Sequence, residues 1–65
     1  MKVREVLRRL HEDGWQLVRM RGSHRVLEHA NKPGIVVVPG HPGDDIPPGT
    51  LRAIFKQAQI EEQLS

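Results

Sequence analysis

The chain has 65 residues, no cysteine and a formal net charge of +2 with neutral histidines. Without cysteine it can form neither disulfides nor thiolate zinc sites, and secreted domains of this size usually depend on such links. Its apolar runs are too short to span a membrane, and its start lacks the apolar segment of a signal peptide. We therefore expect one cytoplasmic domain over residues 1–65. A domain this small has no room for a deep cavity, which favours a polymeric substrate over a small metabolite.

A first helix is predicted over residues 2–12. Gly14 can end it, because glycine readily adopts the left-handed conformation found at helix C-termini. The apolar residues of this segment recur at the i, i+3, i+4 and i+7 positions of an amphipathic helix. They are Val3, Val6, Leu7 and Leu10.

Three strands are predicted next, over residues 15–21, 24–29 and 35–38. Gly22-Ser23 is a compact turn signal between the first two strands, which therefore form a hairpin. The residues before the third strand are rich in turn formers. Because the third strand is apolar on both faces, we expect it in the centre of the sheet.

Residues 39–49 hold four of the five prolines and are predicted as a loop, because proline disrupts helix and strand interiors. Thr50 can cap a second helix. Residues 61–65 are predicted as a frayed or disordered tail. The apolar stripe of the second helix consists of Leu51, Ile54, Phe55 and Ala58.

The order of elements predicts a two-layer α+β domain of the form α-β-β-β-α. Two amphipathic helices need a shared apolar surface, and one face of a three-stranded antiparallel sheet provides it. Trp15 is expected at the edge of the core. The core itself is predicted to contain Val3, Val6, Leu7, Leu10, Leu17, Val26, Ile35, Val37, Leu51, Ile54, Phe55 and Ala58.

His24 is the strongest candidate for chemistry. It follows the small residues Gly22-Ser23, which allow a large ligand to approach closely, and imidazole exchanges protons near neutral pH. Arg21 and Arg25 flank it and can grip phosphate, although strand alternation places both on the opposite face unless the turn rotates them. His24 also shares a face with the expected core residue Val26. Either His24 lies beyond the area covered by the helices, or Leu27 is the buried residue.

Other polar residues give weaker signals. His41, in the proline-rich loop, is the second functional candidate, whereas His11 and His29 are expected to be structural or solvent-exposed. Arg52 and Lys56 lie one turn apart on the second helix and can contact a phosphate backbone. The histidines lack the spacing of metal-binding motifs, and no glycine-rich phosphate motif is present, so no metal or cofactor is expected.

Three segments resemble the HicA toxins in the same order along the chain. They are Gly22-Ser23-His24 after Gly14-Trp15, then Val38-Pro39-Gly40-His41, then Gly49-Thr50-Leu51-Arg52-Ala53-Ile54. The resemblance implies a fold like that of double-stranded-RNA-binding domains, mRNA interferase activity with His24 as the catalytic residue, and a HicB-type antitoxin as partner. One departure from the family is the absence of the lysine that commonly precedes Gly-Thr-Leu, because Pro47-Pro48 occupy those positions here.

Three functions compete at this point. The first is a toxin that cleaves mRNA without a metal, and the second is a non-catalytic module that binds double-stranded RNA. Such a module needs lysines at the start of the second helix, where this chain has carboxylates and prolines. A purely protein-binding module has no positive signal. On the first hypothesis, the RNA-binding residues are Arg21, Ser23, Arg25, His41, Arg52 and Lys56.

Overall fold

The computed structural model describes residues 1–61 and confirms the α-β-β-β-α order. Residues 62–65, which make up most of the predicted tail, lie outside the described part. No helix within residues 1–61 is long and apolar enough to cross a membrane. The elements are α1 (Val3–Asp13), β1 (Trp15–Arg21), β2 (His24–His29), β3 (Ile35–Val38) and α2 (Pro48–Gln57).

The proline-rich loop caps the first turn of α1 with its backbone. Lys2 occupies the N-cap position without a side-chain capping bond. Instead, the Val3 N–H donates to the Asp44 carbonyl at 2.9 Å and the Arg4 N–H to the Pro42 carbonyl at 3.1 Å. The first amides of a helix have no partner within the helix. The loop supplies acceptors for two of them, so this segment has a structural role.

The second helix begins two residues earlier than its predicted cap. Pro47 is the N-cap residue and Pro48 the first helical residue. Proline suits this first position, since its missing N–H would have no partner there and its fixed φ is already helical. Thr50 therefore lies in the first turn, and the prediction that it caps α2 was wrong.

The sheet is antiparallel with the order β1-β2-β3, so β2 is central and β3 is an edge strand. The prediction of a central β3 was wrong. Apolar residues on both faces of Ile35–Val38 suggested two covered faces. Only one face is covered by helices, because Val36 and Val38 are fully buried while Ile35 and Val37 are 44% and 36% exposed.

Both helices cover the face of the sheet that carries Trp15, Leu27, Val36 and Val38, all part of one buried cluster. The opposite face, here called the open face, is covered by neither α1 nor α2. Trp15 is fully buried and not at the core's edge, and Ile46 also joins the core. The open face carries Gln16, Arg19, Arg21, His24, Val26, Glu28, Ile35 and Val37.

Three core predictions, those of Ile35, Val37 and Leu17, were therefore wrong, whereas Val26 is buried as predicted. Val26, Ile35 and Val37 lie on the open face, although Val26 is buried there by its neighbours, and Leu27 takes the core position. Choosing the wrong residue of an alternating pair transfers a whole strand to the other face. Leu17 faces the helix side but is 53% exposed, where it lines a groove beside α1.

A one-residue bulge at Val18 sets the faces of β1. Leu17 pairs with Leu27 and Arg19 with Val26, which leaves Val18 as the extra residue on β1. In a regular strand, residues an even number apart share a face, so Trp15, Leu17, Arg19 and Arg21 would lie together. The bulge places the first two on the helix side and both arginines on the open face.

Deleting Val18 should be tolerated, because the remaining residues of β1 then alternate regularly with every side chain on its present face. We expect the free energy of unfolding to stay within about 1 kcal/mol of wild type, as for other changes at half-exposed positions. Inserting one alanine after Val18 also makes the alternation regular, but it should shift Trp15 two positions along β2, away from its partner His29 and out of its place in the core. Removing a large aromatic residue from a core costs about 3–5 kcal/mol. Urea unfolding checks both variants, and equal losses would contradict the role of the bulge.

Candidate active site

His24 is the first residue of β2, and its side chain is exposed on the open face. The turn before it has only two residues. Gly22, with a φ of 59°, supplies the left-handed conformation that such tight hairpin turns require. This turn makes Arg21 the direct cross-strand partner of His24. Side chains of such partners lie on one face with their Cβ atoms about 5 Å apart.

Of the two alternatives left open for Arg21, the structure shows that it shares a face with His24. Alternation applies along one strand, but Arg21 and His24 belong to two strands joined by a two-residue turn. The structure thus brings a guanidinium and an imidazole together at the end of the hairpin, and both side chains are exposed. Such a pair can exchange a proton and hold a phosphate at the same place.

A shallow groove of about 350 Å³ extends from this pair across the open face. Its floor is aliphatic, and its cationic rim includes Arg19 in addition to Arg21 and His24. No carboxylate among residues 1–61 lines it. The nearest acidic residue on this face is Glu28, the neighbour of Gln16 and Ile35 toward the other end of the strands. The groove is lined by Arg19, Arg21, His24, Val26, Ile35 and Val37.

The polar groups of this groove are not used for internal bonding. Within residues 1–61, the side chains of Arg19, Arg21 and His24 take part in no hydrogen bond or ion pair. A clustered set of cations without anionic partners produces a local positive potential that attracts an anionic ligand.

Arg25 lies on the other side of the sheet. Its cross-strand partner is the buried Val38, and its Nη1 donates to the Gly40 carbonyl at 2.8 Å. The structure therefore does not bring Arg25 to His24. Arg25 instead ties the start of the proline-rich loop to β2.

His41 and Ser23 occupy different surroundings. Ser23 lies in the exposed turn next to His24. His41 is exposed in the loop, and its backbone N–H donates to Asp44 Oδ2 at 3.0 Å. Backbone hydrogen bonds attach this loop to the start of α1, on the helix side. Among the described residues, no hydrogen bond links His41 to His24.

Arg52 and Lys56 are exposed on α2, one turn apart as predicted. Since α2 lies on the helix side, these two cations do not share a face with His24. A ligand that contacts both places has to pass around an edge of the sheet.

His29 is a structural histidine. Its Nδ1 accepts the backbone N–H groups of Asn31 and Lys32 at 2.9 and 3.1 Å, so its proton resides on Nε2, which donates to the Asp13 carbonyl at 2.7 Å. Its ring also meets the buried Trp15 edge-on, with centroids 5.2 Å apart. Gly14 makes room for it, since a Cβ there would lie 2.6 Å from Nε2.

The family model described as "HicA toxin of bacterial toxin-antitoxin" matches residues 3–60, which include every helix and strand. This chain belongs to the HicA toxin family. No curated protein matches the chain. The family resemblance seen in the sequence is thus confirmed, and so is the α+β fold like that of double-stranded-RNA-binding domains that it implied.

In this HicA toxin, no three histidine, aspartate or glutamate side chains among residues 1–61 are grouped so that they could hold a metal ion. Sequence reasoning missed one polar residue of the groove, Arg19, and assigned its three apolar residues, Val26, Ile35 and Val37, to the core. The position of Arg19 depends on the bulge at Val18, which the sequence marks by a change of phase, since the apolar residues of β1 are at positions 15 and 17 and then at 18 and 20.

Proposed function

We propose that this HicA toxin is an endoribonuclease that cleaves mRNA, with His24 as general acid or general base. The observation that supports this most directly is the pairing of His24 with Arg21 at the end of the hairpin. Both side chains are exposed, and neither is bound to another described residue. An imidazole can transfer a proton and a guanidinium can stabilise charge on phosphate, and both actions promote RNA strand cleavage by internal attack.

In such a reaction the 2′-hydroxyl oxygen attacks the adjacent phosphorus, and the bond from phosphorus to the 5′-oxygen of the next nucleotide breaks. One proton leaves the 2′-oxygen and one joins the departing 5′-oxygen. His24 performs one of these transfers, and water performs the other unless the loop brings His41 to the site. Arg21 stabilises the extra negative charge on the phosphate oxygens in the transition state. The products are a 2′,3′-cyclic phosphate and a 5′-hydroxyl.

Apart from Ser23, the remaining RNA-binding candidates contact the substrate away from the cleaved bond. Ser23 lies beside His24 and reaches the same nucleotide. Arg52 and Lys56 engage RNA that continues around the sheet onto the helix side. Arg25 contributes only through those guanidinium nitrogens that its bond to Gly40 leaves available.

Replacing His24 with alanine should lower the cleavage rate by about 10²–10⁴-fold, the usual contribution of a general acid or base. Stability should change by less than about 0.5 kcal/mol, because the side chain is exposed and makes no hydrogen bond. Fragment analysis of a single-stranded RNA, together with urea unfolding, checks both statements.

His11→Ala is the matched control, because His11 is also exposed but lies on α1, on the other side of the molecule. It should cleave like wild type. A folded His24→Ala variant that cleaves at the wild-type rate would refute the assignment and make His41 the next residue to replace.

Cleavage should also proceed in EDTA, and DNA of the same sequence should resist. The internal nucleophile is the 2′-hydroxyl, which DNA lacks, and the histidine and arginine supply the base and the cation. Incubation with and without EDTA, followed by mass spectrometry of the fragment ends, tests this. Activity that disappears in EDTA and returns with magnesium would show that a metal takes part.

We further propose that the partner is a HicB-type antitoxin of acidic or mixed charge, and that the toxin acts in the cytoplasm, where its mRNA substrate is found. The antitoxin should cover His24 and Arg21, because opposite charge speeds association and the same contact excludes RNA. Coexpression should yield a stable complex in which cleavage is abolished. A complex that still cleaves RNA like the free toxin would rule out this mode of inhibition.

A further inference from the structure

We infer that the open-face groove is a binding site for one unpaired nucleotide of single-stranded RNA, with Arg19 holding its phosphate and Val26, Ile35 and Val37 forming the floor under its base. The inference rests on the proposed function and extends it, because it names the form of RNA that the site accepts and a residue that positions it.

The position of Arg19 is the first argument. The bulge turns it to the open face, two residues from Arg21 along the same strand. Positions two apart on a strand lie about 7 Å from each other. This separation is comparable to that of successive phosphates in a nucleic-acid strand. When Arg21 holds the phosphate at the cleaved bond, Arg19 meets the neighbouring one.

The floor is the second argument. Ile35 and Val37 lie on an edge strand with 44% and 36% of their surface exposed, and neither belongs to the buried core cluster. Core packing therefore does not explain why both residues are apolar. Exposed apolar residues at a sheet edge are a liability that proteins normally avoid, and a cluster of them marks a binding surface. With Val26 between them and β1, they form a flat aliphatic surface beside the two arginines.

The shape and charge of the groove favour RNA over a protein segment. At about 350 Å³ it lies at the small end of ligand pockets, which suits a single nucleotide. Its lining combines two unpaired guanidiniums with an apolar floor, as required for a ligand that carries a phosphate and a flat ring together. A paired base cannot reach the floor, because its faces are stacked and its edges are occupied. Glu28 repels phosphate at the far end and so limits the site to one nucleotide.

Binding measurements on the cleavage-deficient His24→Ala toxin test the role of Arg19, with a short fluorescent single-stranded RNA as the probe. Adding Arg19→Ala should weaken binding about tenfold, as expected for one charged hydrogen-bonding contact. The slope of log affinity against log salt should fall by about 0.7, the value for one phosphate contact on a single strand.

Arg8→Ala is the control, since it removes the same charge from α1 on the other side of the molecule, where Arg8 pairs with Glu12. It should change neither affinity nor slope. In the active toxin, Arg19→Ala should raise KM more than it lowers kcat, because Arg19 positions the substrate and does not transfer protons.

The floor is tested with an RNA that lacks the single base next to the cleaved bond. The toxin should bind the intact RNA several-fold more tightly than the abasic one. Val37→Ala should reduce this preference while urea unfolding shows that the protein remains folded. Equal preference in both proteins would overturn the base site.

The outcomes separate the two proposals. If the unmodified toxin neither binds nor cleaves RNA, the proposed function fails and the nucleotide site fails with it. If the toxin cleaves RNA but Arg19→Ala behaves like Arg8→Ala, only the nucleotide site is refuted. If Arg19→Ala leaves RNA binding intact and abolishes only the antitoxin complex, the groove is a protein interface and the inference is again wrong.

Discussion

The register of β1 is the constraint on which the rest of this structure depends. The strand must bury Trp15 against two helices and present Arg21 beside His24 on the opposite face. These two residues are separated by an even number of positions, so a regular strand would put them on one face. The bulge at Val18 resolves this conflict with one extra residue. Bulges next to active sites commonly redirect side chains in this way, and here one device serves both the core and the site.

The two faces of the sheet divide structural and chemical roles between them. Side-chain hydrogen bonds hold the helix side together, and the densest set surrounds Lys32. Its Nζ donates to Asp13 Oδ2 at 2.6 Å and to the carbonyls of Ala58 and Gln59 at 3.1 and 3.0 Å. It thus connects the ends of both helices to the turn before β3. His29 reinforces the same corner, so one histidine is fixed in structure while His24 remains available.

How much the sequence predicts depends on the kind of signal each residue gives. The end of α1, the hairpin turn and both ends of β3 follow from local chemistry, since Gly14, Gly22, Pro33 and Pro39 lie at these boundaries. The faces of the strands do not, because Val26 and Leu27 are equally apolar and only tertiary packing decides which of them meets the helices. His24 could be identified from its motif. Arg19 was missed, although the apolar–polar alternation of β1 changes phase at Leu17-Val18, because only the pairing between strands shows that this change is a bulge.

The apolar residues on both faces of β3 led to a wrong prediction of its place in the sheet, but they also point to the groove on the open face. A strand that is apolar on both faces normally lies in the centre of a sheet, with cover on each side. Here β3 is at the edge, and the helices cover only Val36 and Val38. Burial in the core therefore explains why Val36 and Val38 are apolar, but not why Ile35 and Val37 are. The latter two lie beside unpaired arginines in a domain with little stability to spare, since small domains bury a smaller share of their surface. Residues that burden a small domain without serving its core are expected where a ligand supplies the missing cover, and for Ile35 and Val37 the adjacent arginines fit the proposed nucleotide, which combines an anion with a flat apolar ring.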